Sequence, residues 1–293
     1  MAAIVTIALK AAAYFYTGSI GLLSDALESV INLVAAGIAL WMLKVAALPP
    51  DDEHAFGHSK AEYFASGIEG TLMLLAAASI AWVAVVRLFS PQPLEHISAG
   101  LIVTFIATAI NFVVARILLK AGREAHSITL EADGKHLITD VWTSVGVIVG
   151  IAAVAATGWL ILDSIIALFV AGNIVWAGIE LMRRSTEGLM DMAVPAETQT
   201  AISAVLEDYA RNQKIEYHAL RTRQAGARQF VNVHIVVPGE WTVHRGHQLV
   251  EQIEADMRRV APQSIILTHL ESLDDPASYH DIELDRMENL FLD

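Results

Sequence analysis

Long apolar runs constrain this chain more than any other feature. A segment needs about 20 mostly apolar residues to cross a bilayer as a helix. Stretches of this kind recur at Ala2–Tyr16, Ile20–Val45, Ala61–Phe89, Ile97–Leu119, Leu130–Ala156 and Trp159–Met182. Backbone groups in hydrocarbon must be satisfied within their own segment, so such runs fold as helices. The spacing therefore predicts an all-α six-helix transmembrane bundle. Pro49 and Pro50 break the chain after the second run, Pro91 and Pro93 after the third, and Gly158 separates the last two. The first residues lack a basic region and a small-residue cleavage site, so they read as a membrane helix and not as a signal peptide. Its abrupt start suggests that a cytosolic N-terminal tail has been lost or trimmed.

The apolar pattern stops near Arg184, and from Pro195 the composition is that of a soluble domain. The expected organisation is a transmembrane domain over residues 1–185, a linker over 186–194, a soluble domain over 195–275 and a tail over 276–293. Within the soluble part, Thr198–Arg211 has helical spacing. Tyr217–Thr222, Gln229–Val237 and Ile265–Leu270 read as strands, and His247–Val260 as an amphipathic helix. The order α-β-β-α-β suits helices on one face of a small sheet.

Basic residues set the orientation. Lys44, Lys60, Arg116, Lys120, Arg123, Lys135, Arg183 and Arg184 lie at or near one set of helix ends, with Arg87 nearly alone at the other. Both termini, the soluble domain and the loop Ala46–Lys60 then belong to the cytoplasm, and the chain to the cell's inner membrane. A net charge of −13 argues against nucleic acid as a partner. With no cysteine, thiolate metal sites are excluded.

Ionisable groups inside a membrane helix are functional candidates, since each costs about 2.5–3.5 kcal/mol on insertion scales. The second run carries Asp25, Glu28 and Asn32 at i, i+3 and i+7, which share one helix face. The fifth carries His136 and Asp140 at i, i+4. Two helices thus offer oxygen and nitrogen ligands to one space, enough for a tetrahedral ion. Asp25, near the start of its helix, is equally suited to capping. The loop after the second run places Asp51, His54 and His58 within eight residues. They suit either a metal or a solvated acidic loop. In the soluble part, His234 and His269 fall on strands, and His269 and Glu271, at i, i+2, share a sheet face.

Several of these segments resemble one family. Gly18 to Ala26, followed by Glu28 and Asn32, is similar to the second helix of the cation diffusion facilitator transporters. So are the loop His54-Ala55-Phe56-Gly57-His58-Ser59-Lys60-Ala61-Glu62, the segment Ala132–Asp140 with its His-x-x-x-Asp pattern, and Leu220–Gly226. The resemblance covers nearly the whole chain. It implies a ferredoxin-like cytoplasmic domain, a homodimer, and export of Zn²⁺, Fe²⁺ or Mn²⁺ driven by proton antiport. It assigns the transport site to Glu28, Asn32, His136 and Asp140, a loop site to Asp51, His54 and His58, and a cytoplasmic cluster to His234, His247, His269 and Glu271. It also pairs Lys60 with an acid after the sixth helix, for which Asp191 is the nearest candidate. The family usually has Asp or His at Glu28 and Asp at Asn32. The neutral amide here weakens the expectation of strict zinc selectivity, and Asp25, one turn away, is a candidate for the missing charge.

Other classes fit less well. A membrane metalloenzyme would need a His-Glu-x-x-His helix or a nucleophile motif, and neither is present. A non-transporting metal sensor has no need of ligands at membrane depth.

Overall fold

The computed structural model describes residues 2–124 and 128–280, less the side chains of residues 2, 122–133, 135 and 136. The expected tail lies in large part outside the described residues. The chain divides into two compact units: Met1–Met42 with Phe64–Arg184, and Leu43–Tyr63 with Ser185–Asp293.

The first unit is helical. Its elements are α1 (Ala2–Thr17), α2 (Ile20–Ala46), α3 (Ala61–Phe89), α4 (Ile97–Glu124), α5 (Ile128–Thr157) and α6 (Ile161–Leu189). Of these, α2 to α6 are long and apolar enough to cross a membrane. Among the described residues, five helices are thus long and apolar enough to span, against the six expected. The sixth, α1, is apolar but has 16 residues, or about 24 Å at 1.5 Å per residue, short of a ~30 Å hydrocarbon core.

Side chains sort as a lipid solvent requires. Trp82, Phe105, Trp142, Phe169 and Trp176 are exposed, whereas Ala77, Ala84, Ala107, Ala115 and Ala167 are fully buried. Small residues let helices approach where no water drives them together. At the α3–α6 contact, a Cβ on Gly70 would lie 2.9 Å from the Gly178 carbonyl oxygen, so only glycine permits this approach. The α2 N-terminus is capped from α6. Asp163 accepts hydrogen bonds from the Ser19 hydroxyl and the Ile20 and Gly21 amides. These are amides the helix itself leaves unsatisfied, and a carboxylate there also suits the helix dipole.

The second unit contains α7 (Ala196–Gln213), β1 (Glu216–Ala225), β2 (Arg228–Val237), α8 (Val243–Val260), β3 (Ser264–Ser272) and the short 3₁₀ turn Pro276–Tyr279. The order α-β-β-α-β is the expected one. β1 and β2 form an antiparallel hairpin, β3 runs parallel to β2, and the sheet order is β1-β2-β3. The sheet is open and three-stranded among the described residues. The ferredoxin-like expectation is therefore narrowed to an α/β unit with an open sheet. At the hairpin turn Gly226 has φ +58, and a Cβ there would lie 2.5 Å from the Ser59 carbonyl oxygen.

Period-two alternation on β2 decides which face is core. Val231, Val233, Ile235 and Val237 are buried against Ile202 and Leu206 of α7 and Leu249, Ile253 and Met257 of α8. Each such side chain, fully buried, contributes about 1.5–3 kcal/mol. α8 starts where the Thr242 hydroxyl accepts from the Arg245 amide, an N-cap. The opposite face of β2 carries the exposed Asn232 and the half-buried His234, beside the buried Phe230 and Val236.

Candidate metal sites

Within the helical unit, α2 and α5 meet where the Asn32 amide donates to Asp140 Oδ2 at 3.3 Å. Asp140 is 8% exposed. Both residues line a cavity of about 320 Å³, with Thr6 of α1, Ser29 of α2, Asn111 of α4 and Leu137 of α5. Glu28 lies on α2 between Asp25 and Asn32 and is half-buried. The side chain of His136 lies outside the described residues. Of the proposed transport ligands, then, the structure brings Asn32 and Asp140 together.

Asp25 has a different environment. Its Oδ1 lies 2.9 Å from the Lys10 ammonium and accepts from the Ser144 hydroxyl at 2.7 Å. Lys10 also donates to the Ser29 hydroxyl at 2.9 Å. Asp25 therefore does not cap its helix, a task that falls to Asp163. Sequence spacing did not identify Lys10, Asn111, Ser144 or Asp163; a lone lysine or aspartate in an otherwise apolar helix is the signal that marks two of them.

In the second unit, the loop between α2 and α3 folds around Asp51. Asp51 Oδ1 accepts from the amides of His54 at 2.6 Å and Glu53 at 3.1 Å. His54 Nδ1 lies 3.2 Å from Oδ1, and His58 Nε2 lies 3.3 Å from Oδ2. The His54 amide bond, helped by the two imidazoles, holds the Asp51 carboxyl below the usual carboxylate range. The three residues offer ligand atoms within 4.8 Å of one another. That spacing suits one cation bound by one carboxylate oxygen and two ring nitrogens.

The second cluster is built by sheet register. His218, His234 and His269 lie side by side on β1, β2 and β3, since His218 pairs with His234 and His234 with His269. Ring centroids are 5.1 and 5.0 Å apart along this row. Glu271, two residues beyond His269, turns its carboxylate toward them. Oε2 lies 2.9 Å from His218 Nε2, and Oε1 lies 3.4 Å from His234 Nδ1 and 3.7 Å from His269 Nε2. His218, His234 and Glu271 form the tight group, with His269 at its more exposed edge. His247 sits on the exposed side of α8 and does not join this group among the described residues. His218 takes a place that the sequence reading left empty. A β-bulge between His218 and Arg221, with Ala219 at φ +50, shifts the register there.

The expected link between Lys60 and Asp191 is present. Lys60 Nζ lies 2.9 Å from Asp191 Oδ1, and Arg223 reaches the same oxygen at 3.1 Å. Arg223 also stacks over Phe230 and Phe56, with its guanidinium 4.3 and 5.0 Å from the two ring centroids.

Residues 1–190 match the family described as the cation efflux transmembrane domain, and residues 194–273 match the cation efflux protein cytoplasmic domain. An uncharacterised transporter from Synechocystis sp. is 49% identical over 278 residues, covering 95% of this chain and 89% of the relative. The cation-efflux pump FieF of Citrobacter koseri is 27% identical over 261 residues, covering 89% of this chain and 86% of the pump. Among solved structures, the metal-bound C-terminal domain of the CzcD transporter from Thermotoga maritima is 27% identical; it covers 27% of this chain and 91% of that one, with a TM-score of 0.25. The chain belongs to the cation efflux family, the cation diffusion facilitators. It is a multi-pass membrane transporter and not an enzyme.

Proposed function

We propose that this protein exports a divalent transition-metal ion, Zn²⁺, Fe²⁺ or Mn²⁺, from the cytoplasm in exchange for protons. The observation that carries the reading is the Asn32–Asp140 contact at the wall of a cavity inside a unit of apolar helices. An acid at such depth has a use when a cation passes. In this reading Glu28, Asn32, His136 and Asp140 bind the ion. Asn32 and the carboxylates are hard oxygen donors, which admits Fe²⁺ and Mn²⁺ alongside Zn²⁺. The names of relatives such as the cation-efflux pump of Citrobacter koseri support efflux as the direction.

The protein works as a homodimer by alternating access, in the inner membrane with both termini in the cytoplasm. The second unit is its cytoplasmic metal-binding and dimerisation domain. The distribution of basic residues at helix ends supports that orientation. A cation held by His218, His234 and Glu271 offsets repulsion between two acidic copies, so metal tightens the dimer.

His136 supplies the coupling. An imidazole of ordinary pKa about 6.5 titrates near cytoplasmic pH. A metal binds only its neutral form, so metal entry expels a proton. The test is metal flux in proteoliposomes across a set pH gradient, with a pH dye in the opposite compartment. Coupled counter-flow is expected, with an altered pH dependence in His136→Asp. Metal movement with no proton response would refute the antiport.

A further inference from the structure

Lys10 stands in the middle of an apolar helix, and its side chain is 1% exposed. Burying an ammonium costs several kcal/mol unless close partners compensate. Its partners are Asp25 Oδ1 and the Ser29 hydroxyl, each at 2.9 Å. The Ser144 hydroxyl donates to the same Oδ1 at 2.7 Å, and the Ser29 hydroxyl in turn donates to the Asp25 carbonyl oxygen. Oδ2 of Asp25 is buried and has no hydrogen-bond partner. The network joins α1, α2 and α5, which also supply walls of the cavity holding Asn32 and Asp140. Ser29 belongs to both: it lines the cavity and touches Lys10. Neither Asp25 nor Glu28 is among the residues lining the cavity; Asp25 stands one turn from Glu28 and, unlike it, is tied to the Lys10 ammonium.

We propose that Lys10 is a positioning residue that withholds Asp25 from the transported ion and so sets the charge the ion meets. This inference rests on the reading of that cavity as the transport site. The ion then encounters Glu28 and Asp140 but not a third carboxylate, because the Asp25 charge is spent on a fixed ammonium. A carrier must release its ion as well as bind it, and three acidic groups around one divalent cation would oppose release. With Lys10 gone, Asp25, which already has one unpartnered oxygen, becomes available as an additional anion. With Asp25 neutralised instead, Lys10 becomes an uncompensated positive charge beside the site. The two losses act in opposite directions, which a merely structural ion pair would not do.

The test is titration of purified full-length protein with Mn²⁺ and Zn²⁺ by calorimetry. Asp51→Ala and Glu271→Ala are included throughout to silence the other two clusters. Lys10→Met is expected to tighten binding by about tenfold, and Asp25→Asn to weaken it by about tenfold, as one charge at this range allows. The double variant Lys10→Met/Asp25→Asn should return close to the parent affinity. It keeps the test valid if either single variant fails to fold, because it carries no unpaired charge. Lys10→Arg should bind more like the parent than Lys10→Met does. Loss of affinity in both single variants, with no recovery in the double, overturns the proposal, as does a double variant that departs tenfold from the parent. Asp140→Asn separates the two readings. If it weakens binding while the Lys10 pattern fails, only the role of Lys10 falls. If it leaves affinity unchanged, the cavity is not the transport site and both fall.

Discussion

Asn32 of α2 donates its amide to Asp140 of α5 across 3.3 Å, tying together two helices whose contact residues are 108 positions apart. The amide nitrogen, and not the oxygen, faces the carboxylate. An ion binding both residues must break this hydrogen bond and turn the amide oxygen inward.

Asn32→Asp would set two carboxylates against each other where one amide now meets one. Repulsion in the empty site and attraction for a cation both rise. Affinity for divalent ions should increase by about tenfold and the preference should move toward Zn²⁺. Ion competition during flux measures both. If neither Asn32→Asp nor Asn32→Ala changes affinity or preference, Asn32 is not a ligand.

The sheet cluster makes a contrasting pair of predictions. Glu271 contacts three imidazoles, and His218 makes the shortest of those contacts. Replacing either residue with alanine should weaken binding of Zn²⁺ to this cluster at least tenfold, as expected when a tetrahedral ion loses a ligand. His247→Ala should leave that binding unchanged. Zinc titration of the full-length protein distinguishes the three variants, and an equal loss in His247→Ala would reassign the site.

Much of this was legible in sequence, for reasons that differ by residue. Apolar runs announce helices in lipid because no other backbone is tolerated there, and the shared face of Asp25, Glu28 and Asn32 at i, i+3 and i+7 follows from helix geometry alone. Strand alternation likewise announced β2. Lys10 escaped notice because its partner is 15 residues away on another helix, and a helical period carries no information about which faces meet. His218 escaped because its alignment with His234 depends on a bulge at Ala219.

Acid should weaken the second unit. Hydrogen bonds from Lys60 and Arg223 hold the Asp191 carboxyl below its ordinary value. A carboxyl of depressed pKa takes up a proton more readily in the unfolded chain. Its contribution is thus fully present above the unfolded value and is lost as pH falls through the folded one. Thermal stability should drop between about pH 5 and pH 3, near the ordinary carboxylate range. Asp191→Asn should start less stable and lose less over that interval. An identical acid profile in both proteins would show that this carboxylate is not coupled to folding.

Core packing gives a prediction independent of metal. Ile253 of α8 is fully buried against β2, whereas Val243 at the start of the same helix is 83% exposed. Ile253→Ala should destabilise the second unit by about 2–5 kcal/mol, and Val243→Ala by less than about 0.5 kcal/mol. Denaturant unfolding followed by a probe in this unit reads both, and comparable losses would mean that α8 packs differently.

The central claim is that the cavity bordered by Asn32 and Asp140 carries the metal. The most direct measurement is Zn²⁺ and Mn²⁺ flux into proteoliposomes bearing the intact protein or Asp140→Ala, at equal protein content and matched folding by size-exclusion chromatography. Flux by the parent protein that falls to the level of empty vesicles in Asp140→Ala is the predicted result. Undiminished flux in Asp140→Ala would contradict the assignment of the site, and no flux above empty vesicles with the parent protein would contradict metal transport itself.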